Sequence, residues 1–492
     1  MSKNHITVTS GLIFLLAIAL SKWDILKYSV TIGGDEAYEV TKARLVSMGY
    51  HLYDPIWNNQ PPLHTVLLAA MFKVFGVGII QARIIAIVFG VLYCGSVVAI
   101  VNRFTRSAFS SYYTLVIIVL CPLVLRLAVS PMLEIPAFGV AGWSLWIIGK
   151  ARPEDATRKA VGISGIIFGI AVLIKYTAVI MIPGIIATIF VYCSGKKGWI
   201  GFVQMSAIWM ACAALVIIIG IIVFKISLEQ TVFAMFRVLP EYSLMVNQLG
   251  FSILRFRDSW TLLVFGLGFM LLGCCYSRFD KKFLVPTILV LSVFSVHFVR
   301  KPFWEYYYIH FAFVLTISLG VGASCVLTFF LNKTSPGEKD FIMQITRLSK
   351  TATVMAIIFS AVIIIIPMQL GHALVDEWDI IGSSPRINDT DLVRQMMKYK
   401  SKTRFVYTRD PMCVFHAGLS LIPEIAVLPD NRAWSGEIEV DTIWDTIKNV
   451  KPEQLLIVEE IPARFVQYVN EKYEMVYHDL NHQLYIARWV LN

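Results

Sequence analysis

From the N-terminus to about residue 370 the chain alternates long apolar runs with short polar breaks. Beyond that point apolar positions thin to the spacing of a water-soluble domain. A run of about 20 mainly apolar residues crosses a bilayer as a helix, which satisfies its own backbone polar groups in hydrocarbon. The runs are Ile6–Trp23, Ile79–Val101, Tyr112–Val129, Ile135–Ile148, Val161–Ile174, Thr177–Tyr192, Gly201–Phe224, Trp260–Tyr276, Phe283–Val299, Tyr307–Phe330 and Thr351–Leu370. They predict an α-helical polytopic membrane protein of about 11 transmembrane helices. Ile6–Trp23 reads as a retained first span, because Ser21-Lys22-Trp23 is a poor cleavage site for a signal peptide.

Two polar-to-amphipathic stretches break the apolar series. One is the first outer loop, 24–78. The other is Lys225–Ser259, whose periodicity suits helices lying in the interface. Residues 371–492 have ordinary soluble composition and are long enough for one small domain. Within them Thr403–Thr408 and Gln454–Val458 read as strands and Ala463–Lys472 as a helix. Glu474–Tyr477 and Gln483–Ala487 form a hairpin around Asn481-His482. The predicted organisation is a membrane domain, 1–370, and a C-terminal α/β domain, 371–492.

Composition agrees: 57% of residues are hydrophobic and 15% charged, against about 25% charged in soluble domains. The net charge of +10 does not point to nucleic acid, because the basic residues sit in clusters between apolar runs. Arg103/Arg106, Lys150/Arg152/Arg158/Lys159, Lys196/Lys197, Arg278/Lys281/Lys282 and Lys333/Lys339/Arg347/Lys350 fall in alternate loops. That bias puts the N-terminus in the cytoplasm, in a plasma (inner) membrane, and the C-terminal domain outside. The 8 cysteines form no CxxC pair, so neither a zinc module nor a disulfide scaffold is read from them.

Candidate chemistry gathers in the first outer loop. Asp35 and Glu36 follow Gly33-Gly34 just past the first span, where anchoring would favour basic and aromatic residues. Either acid also suits an N-cap for a helix starting near Ala37. After them come Ala43-Arg44, Gly49 to Tyr53, Pro61-Pro62-Leu63, Phe75-Gly76 and, opening the second span, Ala82-Arg83. This ordered set resembles the first external loop of the GT-C glycosyltransferases, above all the protein O-mannosyltransferase and lipid A aminoarabinose transferase group. A second acid is expected at the outer end of the fourth span, where this chain has Glu134 in place of the commoner aspartate. Arg300-Lys301-Pro302-Phe303-Trp304-Glu305-Tyr306-Tyr307-Tyr308 is similar to the family's late basic, tyrosine-rich outer loop.

The resemblance implies transfer of a sugar from a polyprenyl phosphate, undecaprenyl or dolichyl, to an acceptor outside the cytoplasm. An acceptor hydroxyl is a poor nucleophile and needs a carboxylate to take its proton. The departing phosphate needs positive charge more than a general acid. One carboxylate and one cationic cluster therefore suffice, and direct displacement inverts the anomeric centre. Asp35 is expected as the base, with Glu36 and Glu134 orienting hydroxyls or holding Asp35. Arg300 and Lys301 are expected at the phosphate, with Arg237, Arg255, Arg257 and Lys175 in reserve. Glu305, Tyr306, Tyr307 and Tyr53 complete the expected binding set. Gln60 stands where the aminoarabinose transferases carry a lysine, so one phosphate ligand of that group is missing. The carrier's tail would lie in a groove among the spans, in contact with membrane lipids.

No cofactor is assigned, although Asp35, Glu36 and Glu134 offer oxygen ligands for a divalent ion. The 9 histidines include no HxH pair. The alternative is a transporter or a lipid-binding membrane protein without catalysis. Transporters tend to carry duplicated halves and polar residues at the midplane, and the chain shows neither. Sugar and acceptor (protein, lipid or glycan) stay open at this level.

Overall fold

The computed structural model describes residues 23–149, 156–193, 198–231, 259–276, 281–299, 304–332, 350–429, 432 and 436–491. Most of Ile6–Trp23, most of Lys225–Ser259 and 333–349 lie outside the described residues. The chain is mostly helical and integral to the membrane, with a small C-terminal sheet. Among the described residues four helices are long and apolar enough to cross a bilayer: Ile79–Thr105, Gly198–Phe224, Glu305–Leu327 and Ser360–Gly382. Glu305–Leu327 is the central one, with 94% of its apolar window buried. Gly198–Phe224 has 17% buried and leaves its apolar sides uncovered, as a lipid-facing helix does.

The expected span Trp260–Tyr276 appears with the same ends, and others with shifted ends, among them Glu134–Gly149, Ala156–Ile174 and Leu284–Val299. Others depart in kind. The expected span Tyr112–Val129 is two helices, Ala108–Leu120 and Pro122–Ala128, bent by 74°. Pro122 has no N–H to continue the ladder and pushes Cys121 out of the helical region, to φ −68° and ψ 113°. The expected Thr177–Tyr192 opens as a 3₁₀ turn, Tyr176–Met181, before the helix Ile182–Cys193. The last helix runs Lys350–Gly382, well past residue 370. Its buried positions Leu370, Leu374, Trp378 and Ile381 keep one helical face apolar after the other has become polar.

The C-terminal strands are β1 (Val406–Thr408), β2 (Gln454–Ile457), β3 (Tyr473–His478) and β4 (Gln483–Ala487), in the order β1-β2-β4-β3. β1 and β2 are parallel, while β4 pairs antiparallel with both β2 and β3. The helices Val440–Val450 and Ala463–Lys472 cover the sheet through Trp444, stacked 4.9 Å from Phe465.

The segment 24–78 and the region around this sheet share their packing. Leu45, Ile56 and Trp57 belong to the same apolar cluster as the domain's Val406, Ile422, Leu455 and Ile486. Met412 and Phe415 pack with Ala37, Val40, Ala43 and Phe72 of the segment 24–78. Arg44 ties the two further, donating to Gly418 O (2.9 Å) and Ser420 Oγ (3.1 Å). The Ala-Arg element of the motif thus holds the C-terminal domain over the first loop.

Candidate active site

The helix Glu36–Ser47 begins directly after Asp35. Asp35 occupies the N-cap position, but its side chain makes no capping hydrogen bond. Its carboxylate faces Tyr306 across the cavity instead. Gly33 makes this placement sterically feasible: a Cβ there would lie 2.4 Å from Ser130 Oγ and 2.6 Å from Met132 Sδ. The loop can therefore pass against the segment that leads into the helix Glu134–Gly149.

A cavity of about 200 Å³ opens beside Asp35. Asp35, Tyr38, Glu39 and Lys42 line it from a single helical face, at i, i+3, i+4 and i+7. Gln60, Trp57 and Asn59 come from the segment that follows this helix. Lys175, Trp304 and Tyr306 enter from later loops, and Val427 and Pro429 from the C-terminal domain. Tyr38 hydroxyl donates to Leu428 O (3.2 Å) and holds that wall in place.

Lys175 is the charged centre of the site. It forms a buried ion pair with Glu134 Oε1, interacts electrostatically with Asp35, and lies 4.9 Å from the centre of the Tyr306 ring. Held in reserve on sequence grounds, it is the cation that links Asp35 to Glu134 across roughly 100 residues of sequence.

Glu36 takes a different place from the expected one. One residue along a helix turns a side chain by about 100°, and Glu36 faces away from the cavity. Its Oε1 accepts from Arg83 Nε (2.8 Å). Its Oε2 accepts from Arg83 Nη2 (3.1 Å) and from Ile32 N (2.8 Å). Glu36 is fully buried and Arg83 1% exposed, so the pair is a clamp between the helix Glu36–Ser47 and the helix Ile79–Thr105. Arg83→Met leaves Glu36 buried without a counter-charge. Its expected cost is about 3–5 kcal/mol, read as an earlier thermal unfolding of the detergent-solubilised protein.

Glu39 and Lys42 were not singled out in the sequence, although their helical spacing from Asp35 was the available signal. Lys42 Nζ lies 2.7 Å from Glu39 Oε1 and 3.0 Å from Asn58 Oδ1, and Thr65 Oγ1 donates to Glu39 Oε2 (3.0 Å). Burial works to raise the Glu39 pKa, but Lys42, His64 and the Thr65 hydrogen bond together hold the carboxyl below its ordinary value. His64 beside them is pushed down to about 4 by burial, so it is neutral at pH 7. Asp35 behaves oppositely. Burial raises it above the ordinary aspartate value, Lys175 and Tyr306 oppose that, and Glu39 adds to it.

Gln60 lines the cavity, and Tyr53 supports it from behind by donating to Gln60 O (2.9 Å). Tyr307 is buried against His297, with ring centres 4.9 Å apart. Glu305 opens the 3₁₀ turn Glu305–Tyr307, outside the cavity lining. Arg237, Arg255, Arg257, Arg300 and Lys301 lie outside the described residues.

The acidic residues do not suit a divalent cation. Glu36 is committed to Arg83, Glu39 to Lys42 and Thr65, and one oxygen of Glu134 to Lys175. The Lys175 ammonium already stands between the two remaining carboxylates, and a dication beside it would be repelled.

Residues 59–227 match the family model described as dolichyl-phosphate-mannose-protein mannosyltransferase. No curated protein matches the chain. Among solved structures, ArnT from Cupriavidus metallidurans in the apo state superposes with a TM-score of 0.65 at 14% identity, covering 97% of this chain and 98% of that one. The same protein bound to undecaprenyl phosphate gives 0.63 at 14% identity, with the same coverage. The archaeal oligosaccharyltransferase AglB from Archaeoglobus fulgidus, in complex with an inhibitory peptide and a dolichol-phosphate, gives 0.59 at 12% identity. That match covers 92% of this chain and 69% of AglB. The likeness in fold therefore extends through nearly the whole chain, which folds like the ArnT structure and matches the mannosyltransferase model over residues 59–227.

Proposed function

We propose that this chain is an inverting glycosyltransferase that moves a sugar from a polyprenyl phosphate to a hydroxyl-bearing acceptor at the outer face of the membrane. The observation that carries this reading is the contrast between two neighbouring carboxylates on one helical face. Glu39 is paired with Lys42, accepts from Thr65, and is held acidic. Asp35 lines the same cavity with its basicity raised by burial. A carboxylate made more basic than a surface one is the better general base.

In the proposed reaction the acceptor oxygen attacks the anomeric carbon while Asp35 takes its proton. The bond from that carbon to the phosphate oxygen breaks, and the polyprenyl phosphate leaves with the electron pair. Lys175 supplies positive charge within the cavity as charge develops on the phosphate, with Lys42 at the far end of the same helical face. Arg300 and Lys301 remain proposed phosphate ligands on sequence grounds. The undecaprenyl phosphate and dolichol-phosphate bound by the ArnT and AglB structures support a polyprenyl-phosphate donor. The aspartate base, the inversion and the outward-facing domain 371–492 belong to the proposal.

The test is transfer by the purified full-length chain, using synthetic polyprenyl-phosphate sugars and reading the product's anomeric configuration by NMR. Inverted product supports the reading. A retained configuration, or no consumption of any such donor, overturns it. The pH profile adds a second check. A base must be ionised, so kcat/KM should rise with pH through the Asp35 pKa, with an acid limb above that of an ordinary aspartate. Lys175 favours the ionised form, so removing its charge in Lys175→Met should move that limb to higher pH. A limb that stays in place or moves down would show that Asp35 is not the titrating group.

A further inference from the structure

Far from the cavity in chemistry, though joined to it by packing, a second cluster sits in the C-terminal domain. We propose that Asp410, Cys413 and His482 form a zinc site that staples the β3–β4 hairpin to the short helix Pro411–His416. The inference is independent of the transfer reaction.

The geometry matches the donor set of zinc. His482 Nε2 and Cys413 Sγ each lie 3.3 Å from Asp410 Oδ2, and the three ligand atoms are all within 4.8 Å of one another. Tetrahedral zinc with bonds of about 2.0–2.3 Å has ligand–ligand edges of about 3.3–3.7 Å. Two of the three edges are already at that length, and the third closes by a small movement of the Cys413 or His482 side chain. One thiolate, one imidazole and one carboxylate suit zinc, whereas calcium and magnesium take oxygen ligands.

The ligands are also held from behind. Asp410 Oδ1 accepts from Met412 N (3.3 Å) as the cap of the helix, which leaves Oδ2 turned toward Cys413 and His482. His482 Nδ1 lies 3.2 Å from Asp479 Oδ1, the carboxylate–histidine arrangement that fixes the ring with Nε2 toward a metal. Asp479 is itself fixed by Tyr477 hydroxyl (2.9 Å) and by the backbone N–H groups of Asn481 and His482 (2.8 Å each). The His482 and Asp410 side chains are 20% and 34% exposed, so an ion can enter and keep a water as fourth ligand. Binding takes the Cys413 thiolate and the lone pair of His482 Nε2, so the Cys413 thiol gives up its proton as the ion enters.

The location gives the staple a consequence. The helix that carries Cys413 places Phe415 5.9 Å from Phe72 and His416 Nε2 2.8 Å from Val30 O. It packs through Met412 against Ala37 and Val40, one turn from Asp35. Zinc at this point would stiffen the joint between the C-terminal domain and the Asp35-bearing helix.

The full-length chain, stripped with a chelator, is titrated with Zn²⁺ against a chromophoric indicator and loaded separately with Co²⁺. One Zn²⁺ per chain and a thiolate-to-cobalt charge-transfer band are expected. Cys413→Ser and His482→Gln should each remove both. Asp479→Asn should weaken binding about 10–100-fold, and Asp35→Asn should leave it intact. Zn²⁺ should raise the melting temperature of the wild type and not of the first two variants, whose metal-free melting reports whether they fold. Zn²⁺ binding without the cobalt–thiolate band, a band that survives Cys413→Ser, or no stoichiometric binding would overturn the site.

Discussion

Asp35→Asn is expected to lower sugar transfer about 10²–10⁴-fold, the usual worth of general-base catalysis, with donor affinity nearly unchanged. Asparagine keeps the shape of the side chain. It loses the lone pair that would take the acceptor's proton. Because Asp35 caps no backbone N–H, the change removes no helix cap, and the melting temperature should move little. Turnover should therefore fall without a matching rise in the donor's dissociation constant, the signature of an interaction made in the transition state. Glu39→Gln is the control on the same helical face. It breaks a buried ion pair with Lys42, so it should act chiefly on stability. If Asp35→Asn kept near-full turnover, the base would have to be sought elsewhere, and Glu134 is the other carboxylate in contact with Lys175.

The membrane part of the fold was legible wherever hydropathy and helix coincide. They separate at three places, each for a local reason. Pro122 interrupts a stretch that hydropathy reads as continuous, since it is apolar yet cannot donate a ladder hydrogen bond. The 3₁₀ turn Tyr176–Met181 is as apolar as the helix after it. The helix to Gly382 continues beyond its apolar run because Asp376, Glu377 and Asp379 lie off its buried face. Arg126 pairs with Glu377 at 2.7 Å. Hydropathy reports transfer into lipid, and only periodicity reports the helix itself.

The site was legible as a motif but not in its division of labour. Asp35 and Glu36 are adjacent in sequence, so they read as a pair. On a helix they diverge, one into the cavity and the other into the Arg83 clamp. The true neighbour of Asp35 on its face is Glu39, one turn along, and Lys42 follows it. Lys175 gave the weakest sequence signal of all, a single cation between two spans. Its weight comes from tertiary packing that brings Glu134 and Asp35 to it, which no local pattern encodes.

That packing sets the second large expected effect. Lys175 and Glu134 have side chains 6% and 1% exposed, and among the described residues Glu134 Oε2 has no hydrogen-bond partner. Lys175→Met keeps most of the side-chain volume and strands the Glu134 charge, at an expected cost of about 3–5 kcal/mol of stability. Adding Glu134→Gln removes the stranded charge, so the double variant should regain much of that loss even though the ion pair is gone. Turnover should not follow. The double variant still has Asp35 but lacks the cation facing the developing phosphate charge, and losing one such stabilising group typically costs about 10²–10³-fold in rate. Thermal unfolding and transfer measured side by side on both variants separate the two roles. If the double variant recovered stability and full turnover together, Lys175 would be a structural counter-ion, and the phosphate would have to meet its positive charge elsewhere, at Lys42 of the cavity or at Arg300 and Lys301.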